Sequence, residues 1–460
     1  MVHRHGREGV VAARAEPPVQ GGTLMSAELT KLRRSIHTYP FKYSPFQADR
    51  FFGLQNGALY VHIPFCSTKC HFCDFTVYVN KTDDMREQYV QRLCTEIARF
   101  PEQHPMFPRF KIDAIYFGGG TPGLLSSEQL IRILQTCRQT YSINPGCEIT
   151  IEFDPDSVSL EKALAVKEAG FTRVSVGVQS FNDDLLKQSN RPHTARSVHA
   201  AFETLRKVGF TNTNLDLIYP LPGLTMDVWM DSVQQALRLE PACISLYGLE
   251  VWPGTAFHNW LEKGKLKLPN ASTEVEMYTA AVDALESEGF VARSTNGYVH
   301  PGRAEAYSRF LDYYWRTWPM LGFGVSSKSA YDDRLWANVK GLKDYIQRVD
   351  AGEPVVDLVA YMSKAQEMRR VMIRGLKACE VSKQEFLQRF GVEMESVFGD
   401  IIGRLVADGL LANEDARVCL TRKGRTFGTN VYEYFYTDED RKPATQNEVQ
   451  FGISHLVTTD

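Results

Sequence analysis

Tyr60-Val-His62-Ile-Pro-Phe65-Cys66-Ser-Thr-Lys-Cys70-His71-Phe72-Cys73 is the stretch on which the reading of the fold turns. Its first half belongs to an apolar run over 58–63 that reads as a buried strand ended by Pro64. Its second half sets three cysteines within eight residues on the loop leaving that strand, so their thiolates can face one point. Full protein ligation of a four-iron cluster takes four cysteines, so three leave one iron open to a small molecule. A zinc site completed by His71, or plain buried thiols, are the other readings of these residues. Cys94, Cys137, Cys147, Cys243, Cys379 and Cys419 lie outside any ligand spacing and are expected in the core.

Outward from this loop, strand runs at 114–117, 148–153, 173–178, 214–218 and 243–249 alternate with amphipathic stretches at 85–100, 127–140, 160–168, 195–208 and 226–239. Strands alternating with helices predict parallel βαβ units. Six strands in one α/β domain suggest a barrel or partial barrel whose loops after the strands form the active face. A doubly wound open sheet is the alternative, and spacing alone does not separate the two. Residues 256–365 read as irregular and aromatic, with Tyr313, Tyr314, Trp315 and Trp318 close together. Residues 366–435 read as helix, turn, helix and hairpin, the outline of a winged-helix module. Its third helix carries Glu395, Asp400 and Asp408 against the single cation Arg404, which argues against DNA, whose phosphates need several cations on one face.

The chain has 460 residues, enough for two to three domains. Its composition, 43% hydrophobic and 23% charged, is that of a globular protein. A net charge of −3 gives no support to nucleic acid or an anionic membrane as main partner. No apolar run approaches the ~20 residues of a membrane span. Nine unevenly spread cysteines and no secretory signal pattern point to a reducing, cytoplasmic compartment. The expected organisation is a flexible extension at 1–24, a barrel at 25–255, a barrel extension with substrate pocket at 256–365, the winged-helix-like module at 366–435 and a polar tail at 436–460.

The cysteine spacing CxxxCxxC after a first barrel strand resembles the radical S-adenosylmethionine enzymes. The fuller string from Tyr60 to Cys66 is similar to the subgroup of oxygen-independent coproporphyrinogen III oxidase and the heme chaperone, over about residues 55–435. The resemblance implies a partial (β/α)6 barrel with a C-terminal winged-helix-like domain. It implies a [4Fe-4S] cluster on Cys66, Cys70 and Cys73, with S-adenosylmethionine chelated at the open iron and cleaved by one electron to a 5′-deoxyadenosyl radical. An external donor such as flavodoxin or ferredoxin would supply the electron.

Further motifs carry over residue by residue. Tyr60 matches a tyrosine beside this cofactor, and Phe72 is expected to pack over its adenine. Gly118-Gly119-Gly120-Thr121-Pro122 resembles the motif that holds the methionine amino end, where glycines let backbone approach and free N–H groups for it. Glu152 matches the ribose-binding acid, since a carboxylate accepts two hydroxyl hydrogen bonds. Gln179, Arg191 and Asp216, with the backbone at Gly248, match positions that contact a second S-adenosylmethionine in the oxidase branch. An Arg191–Asp216 ion pair bracing the barrel is the plainer reading of those two. His193 is expected in a helix-cap or loop role.

The resemblance has limits. Oxidases carry an extra cysteine where this chain has Phe75, and the chaperone's His-Asn pair falls on Phe310-Leu311. An intact Gln179, Arg191 and Asp216 set without a porphyrin signature favours a third branch, the class C methyltransferases and cyclopropanases. These would use two S-adenosylmethionine molecules to modify an sp2 carbon of a small-molecule, natural-product substrate. A coproporphyrinogen oxidase-like or heme chaperone-like protein of tetrapyrrole metabolism is the alternative expectation.

Overall fold

The computed structural model describes residues 56–104, 110–304 and 307–437. The expected extension at 1–24, and the tail beyond Thr437, lie outside the described residues.

Six strands run parallel in chain order: β1 (Asn56–Ile63), β2 (Lys111–Gly119), β3 (Ser142–Phe153), β4 (Arg173–Gln179), β5 (Asn212–Tyr219) and β6 (Cys243–Gly248). Each pairs with the next in sequence. A doubly wound sheet reverses its order at a switch point, and this one does not. Right-handed crossovers then place the connecting helices on one side. These are α1 (Asp83–Gln103), α2 (Ser127–Thr140), α3 (Leu160–Ala169), α4 (Ala195–Val208) and α5 (Met226–Arg238), on the segments the periodicity predicts. The result is the wall of a partial α/β barrel.

The period of two along each strand sorts its side chains. Val61, Ile115, Ile151, Val174, Leu215 and Ile244 are fully buried in the main hydrophobic core, each contributing roughly 1.5–3 kcal/mol. Tyr60, Tyr116, Glu152, Ser175, Asn214 and Tyr247 occupy the alternate positions and line a cavity on the opposite face. Local signals end the helices. Ser126 and Gln129 close a capping box on α2, and Gly170 and Gly209 stop α3 and α4 in the left-handed conformation.

Residues 256–365 are more regular than the sequence suggests. They hold α6 (Ala271–Ser287), β7 (Gly297–Val299), α7 (Arg309–Trp315), β8 (Met320–Phe323), β9 (Lys328–Tyr331), β10 (Arg334–Asn338), α8 (Leu342–Ala351) and β11 (Val356–Tyr361). The β8 strand pairs parallel with β1 on the edge away from β2, so the parallel wall has seven strands where six were expected. Beyond it β9, β10 and β11 continue the sheet antiparallel.

The C-terminal module comprises α9 (Lys364–Lys377), α10 (Lys383–Phe390) and α11 (Met394–Ala407), with the expected hairpin of Leu411–Asn413 and Arg417–Leu420. A third strand, Glu380–Ser382, completes its sheet. Two short helices, Arg422–Thr426 and Gly428–Glu433, follow without a sequence signal that marked them. Its core includes Ala330, Leu335, Ala337 and Ala360 of the antiparallel extension, so module and extension share one apolar interior. Among the described residues, no helix is long and apolar enough to cross a membrane.

Candidate active site

The chain leaves β1 at Pro64 and enters the cysteine loop through Phe65–Cys66, which pairs with Tyr78–Val79. The glycine turn after β2 is laced to this exit: Gly120 N–H donates to the Ile63 carbonyl (2.8 Å) and Thr121 N–H to that of Phe65 (2.8 Å). A Cβ on Gly120 would lie 2.6 Å from the Phe65 oxygen and 3.0 Å from Cys66 Sγ, so only glycine allows this approach. The turn's donors are engaged, since Gly119 N–H donates to Glu152 (3.2 Å). The expectation of free N–H groups is thereby corrected: the close approach that required glycine also satisfied them within the protein.

The three cysteines are partly buried. Burial pushes the Cys66 thiol up to about 11 and the Cys73 thiol up to about 12, so metal ligation must release their protons. Two donors already face the sulfurs: Thr121 Oγ1 is 3.7 Å from Cys66 Sγ, and an Arg191 guanidinium nitrogen is 3.4 Å from Cys70 Sγ. Donors directed at sulfur, a glycine cradle against it, and the buried unpartnered Gln179 Oε1 and Arg191 Nε fit a sulfur-ligated anionic cluster with a polar ligand beside it. His71 does not complete a zinc set. Its Nδ1 meets the Gln188 carbonyl at 2.8 Å and its ring packs on Trp260, centroids 4.6 Å apart.

Arg191 does not pair with Asp216. Its guanidinium donates to Asp154 Oδ2 (2.6 Å) and to the Gly177 carbonyl (2.6 Å). Burial opposes ionisation of Asp154, but the His193 ring, its Nδ1 3.6 Å away, and the Arg191 charge outweigh it and hold the carboxyl below its ordinary value. His193 is buried, with Nε2 3.0 Å from the Val178 carbonyl, and braces this pair as well as preceding α4. Asp154 was missed as a partner. The available signal was its place one residue past the end of β3, beside Glu152 on the face where the loops after the strands gather.

Glu152 accepts from the Tyr116 hydroxyl (2.6 Å) as well as from Gly119. Burial, with Asp216 nearby adding charge repulsion, pushes its carboxyl up to about 7 against those two hydrogen bonds. Asp216 accepts from Asn214 Nδ2 (2.8 Å), and burial raises its carboxyl too. Gln179 sits after an irregularity in the β4–β5 register with φ of 68°, uncommon for a non-glycine residue. Strain there together with a buried unpartnered oxygen is a pattern that clusters at functional sites.

The cavity occupies about 310 Å3 and runs along the concave face of the wall. Tyr60 lines it, in a three-ring cluster with Tyr116 (6.2 Å) and Phe310 (5.8 Å), which are 4.7 Å from each other, as does His62, which burial keeps neutral at about 4. Phe75 lines it while 55% exposed, which places it at the mouth. The far wall is basic. Lys328 and Lys340 line it, and among the described residues neither forms an ion pair within 4 Å. Arg374 of α9 lies over the Tyr314 ring (4.2 Å), and its charge brings that phenol down to about 8.

The aromatic group of 313–318 therefore divides. Tyr314 lines this cavity, Trp315 lines a second one of about 190 Å3, and Tyr313 packs on Trp318. Gly248 lies on that second cavity, apart from Gln179 and Arg191, and Tyr247 lines both. Phe72 leans on Phe257 (6.4 Å).

The profile of the Radical SAM superfamily matches residues 60–236, and that of the HemN C-terminal domain matches residues 362–427. Heme chaperone HemW of Bacillus subtilis is 32% identical over 381 residues, 82% of this chain and 98% of the relative. Oxygen-independent coproporphyrinogen III oxidase of Salmonella typhimurium is 28% identical over 388 residues, 81% of this chain and 84% of the relative. The solved coproporphyrinogen III oxidase HemN of Escherichia coli superposes with a TM-score of 0.74 at 25% identity, covering 89% of this chain and 98% of that one.

Proposed function

Since the chain belongs to the HemN-like branch of the radical SAM superfamily, we propose that it cleaves S-adenosylmethionine reductively and acts on a carboxylate-bearing small molecule of the tetrapyrrole class. The observation that carries the substrate class is the pair Lys328 and Lys340 in the cavity wall. Burial lowers the pKa of both partly buried ammoniums against the pull of Asp74 on Lys328 and Asp357 on Lys340, and a substrate carboxylate would further favour their charged forms. The expectation of natural-product methylation finds no support in the oxidases and chaperones that this chain resembles.

When bound, a cluster on Cys66, Cys70 and Cys73 with S-adenosylmethionine at its open iron supplies a carbon radical for hydrogen abstraction. The chain's own residues do the rest. Thr121 and Arg191 donate toward the ligating sulfurs, Glu152 takes the ribose hydroxyls, and the glycine turn, its donors engaged, offers oxygen rather than N–H to the methionine ammonium. Tyr60, Phe310 and Tyr116 exclude water between that cofactor and the basic wall. With phenylalanine at 310, the wall holds no imidazole for a porphyrin iron at that position, which favours turnover over heme carriage. The test is anaerobic incubation of reconstituted protein with methyl-deuterated S-adenosylmethionine, a reductant and coproporphyrinogen III. Loss of carbon dioxide from the porphyrinogen is expected, and a heme Soret band without turnover would argue for the chaperone role.

Glu152 makes the cofactor's binding pH-dependent. Ribose hydroxyls donate to a carboxylate, so affinity for S-adenosylmethionine should rise as pH passes through about 7, by at most roughly tenfold per unit below it. The sign for folding is opposite. A carboxyl raised on folding contributes stability below its unfolded value that is lost as pH rises through about 7. Calorimetric titration of S-adenosylmethionine across pH 6–8.5 checks this, and Glu152→Gln should bind weakly with a flat profile.

We further propose a second S-adenosylmethionine, favoured by the strained Gln179 and by the partly buried Asp216 carboxylate held by Asn214. Asp216→Ala should weaken a second molecule by roughly 5- to 150-fold, from about 1–3 kcal/mol of lost hydrogen bonding. Binding at the cluster should persist, because Glu152 serves it. Equilibrium dialysis reading two molecules per chain in the parent and one in the variant is the expected result; one in both would remove the second site.

A further inference from the structure

Delivery of an electron to the cysteine loop leaves a trace on the surface that the catalytic cavity does not explain, and the inference rests on the radical reading above. Three segments are stitched together around His71. Its N–H donates to the Ser189 carbonyl (3.0 Å), its Nδ1 meets Gln188, and its carbonyl accepts from Phe257 N–H (3.0 Å). Asn190 Nδ2 donates to the Lys69 carbonyl (2.8 Å), and the Thr68 hydroxyl donates to Asn190 (3.1 Å). The Trp260 ring that packs on His71 starts a turn in which Lys265 N–H returns to the Trp260 carbonyl (2.8 Å).

Each segment carries exposed lysine: Lys69 on the first, Lys187 on the second, and Lys263, Lys265 and Lys267 on the third. Among the described residues none of the five forms an ion pair within 4 Å. The acids beside them are Asp183, Asp184 and Glu262, and Asp183 also caps α4 through the Ala195 N–H. Five cations against three acids, in a chain of net charge −3, make this rim locally positive. The three segments that carry it are bonded or packed to His71, next to the partly buried Cys70, and none of the five lysines lines the cavity that receives substrate.

We propose that this lysine collar is the docking surface for an acidic one-electron carrier protein, which loses one electron to the cluster held by the loop. Opposite charge across a rim accelerates encounter more than it tightens the complex, and the acceleration falls with ionic strength. His71 then has a defined part: it is no ligand, and it anchors the collar to the ligand loop.

The test uses the reconstituted full chain and a reduced flavodoxin, with Lys187→Glu/Lys263→Glu/Lys265→Glu as the variant; Lys69 stays, being next to a ligand. Three readouts are taken: calorimetric binding of oxidised flavodoxin, stopped-flow bleaching of the reduced flavin, and 5′-deoxyadenosine formed with dithionite. The expected result is weaker binding and flavin oxidation slowed roughly tenfold or more, with the dithionite reaction unchanged. In the parent protein, flavin oxidation should slow as ionic strength rises from about 0.01 to about 1 M, where the Debye length shrinks from about 30 to about 3 Å. Unchanged binding and flavin oxidation in the variant would overturn the proposal. If the dithionite reaction falls too, the single Lys263→Glu variant and the parent's salt dependence decide, and a flat salt dependence overturns it. A parent that oxidises flavodoxin yet never cleaves S-adenosylmethionine would sink the radical reading and leave the docking surface standing.

Discussion

Alanine at any one of Cys66, Cys70 or Cys73 should reduce 5′-deoxyadenosine formation to background, the largest effect of any single change in this chain. Three thiolates are available on the loop for the cluster, and two ligands cannot hold three irons. Among the described residues no neighbour is poised to substitute. His71 is bound to Gln188 and packed on Trp260, while Cys137 and Cys147 are buried in the main core with helices or strands between. Iron content, visible absorbance of the reconstituted protein, and nucleoside release under dithionite measure it. Full activity in any one of the three variants would refute the ligand assignment. Thr121→Val, which removes only a donor toward Cys66 Sγ, should keep the cluster.

Arg191→Met should give the largest loss of stability. The guanidinium holds a buried carboxylate and a strand-end carbonyl at 2.6 Å each, and both it and Asp154 expose only 11% of their side chains. Removing one partner of a buried pair leaves an uncompensated charge, typically about 3–5 kcal/mol. The damage should spread to the loop, since the same side chain reaches Cys70 Sγ. Denaturant midpoints of the apoprotein and the rate of iron loss from the reconstituted protein are the readouts. Adding Asp154→Asn should restore part of the stability, because the stranded charge is then gone, but should not restore iron retention. The contribution of the pair belongs to pH above the ordinary carboxylate range. It is lost as pH falls through the depressed value of Asp154. Equal instability of the single and double variants would show that charge pairing is not what Arg191 supplies.

Much of this site is local in sequence, and that part was legible. The cysteine spacing, the glycine turn and the acid ending β3 lie within a few residues of a strand end. The period of two along each strand already says that Tyr60, Glu152 and Asp216 share the face opposite Val61, Ile151 and Leu215. Sequential strands with helices between them also narrowed the wall to a barrel or a doubly wound sheet, since right-handed connections leave few other arrangements, and the observed pairing chose between the two.

What tertiary structure alone decided was every pairing between distant segments. Arg191 reads in sequence against Asp216, and only the folded loops after β3 and β4 set Asp154 beside it instead. The β8 strand is four residues long and has no pattern of its own; its partner β1 lies some 260 residues earlier. The basic wall comes from β9 and the second residue after β10, outside the parallel units, so no motif marks Lys328 or Lys340 in the sequence. His71 offered a ligand by composition, and contacts with residues 117 and more positions away removed it from the metal and gave it to the rim. Local periodicity chooses the face a side chain points to; which groups meet there is chosen by the closing of long loops, whose outcome no short window contains.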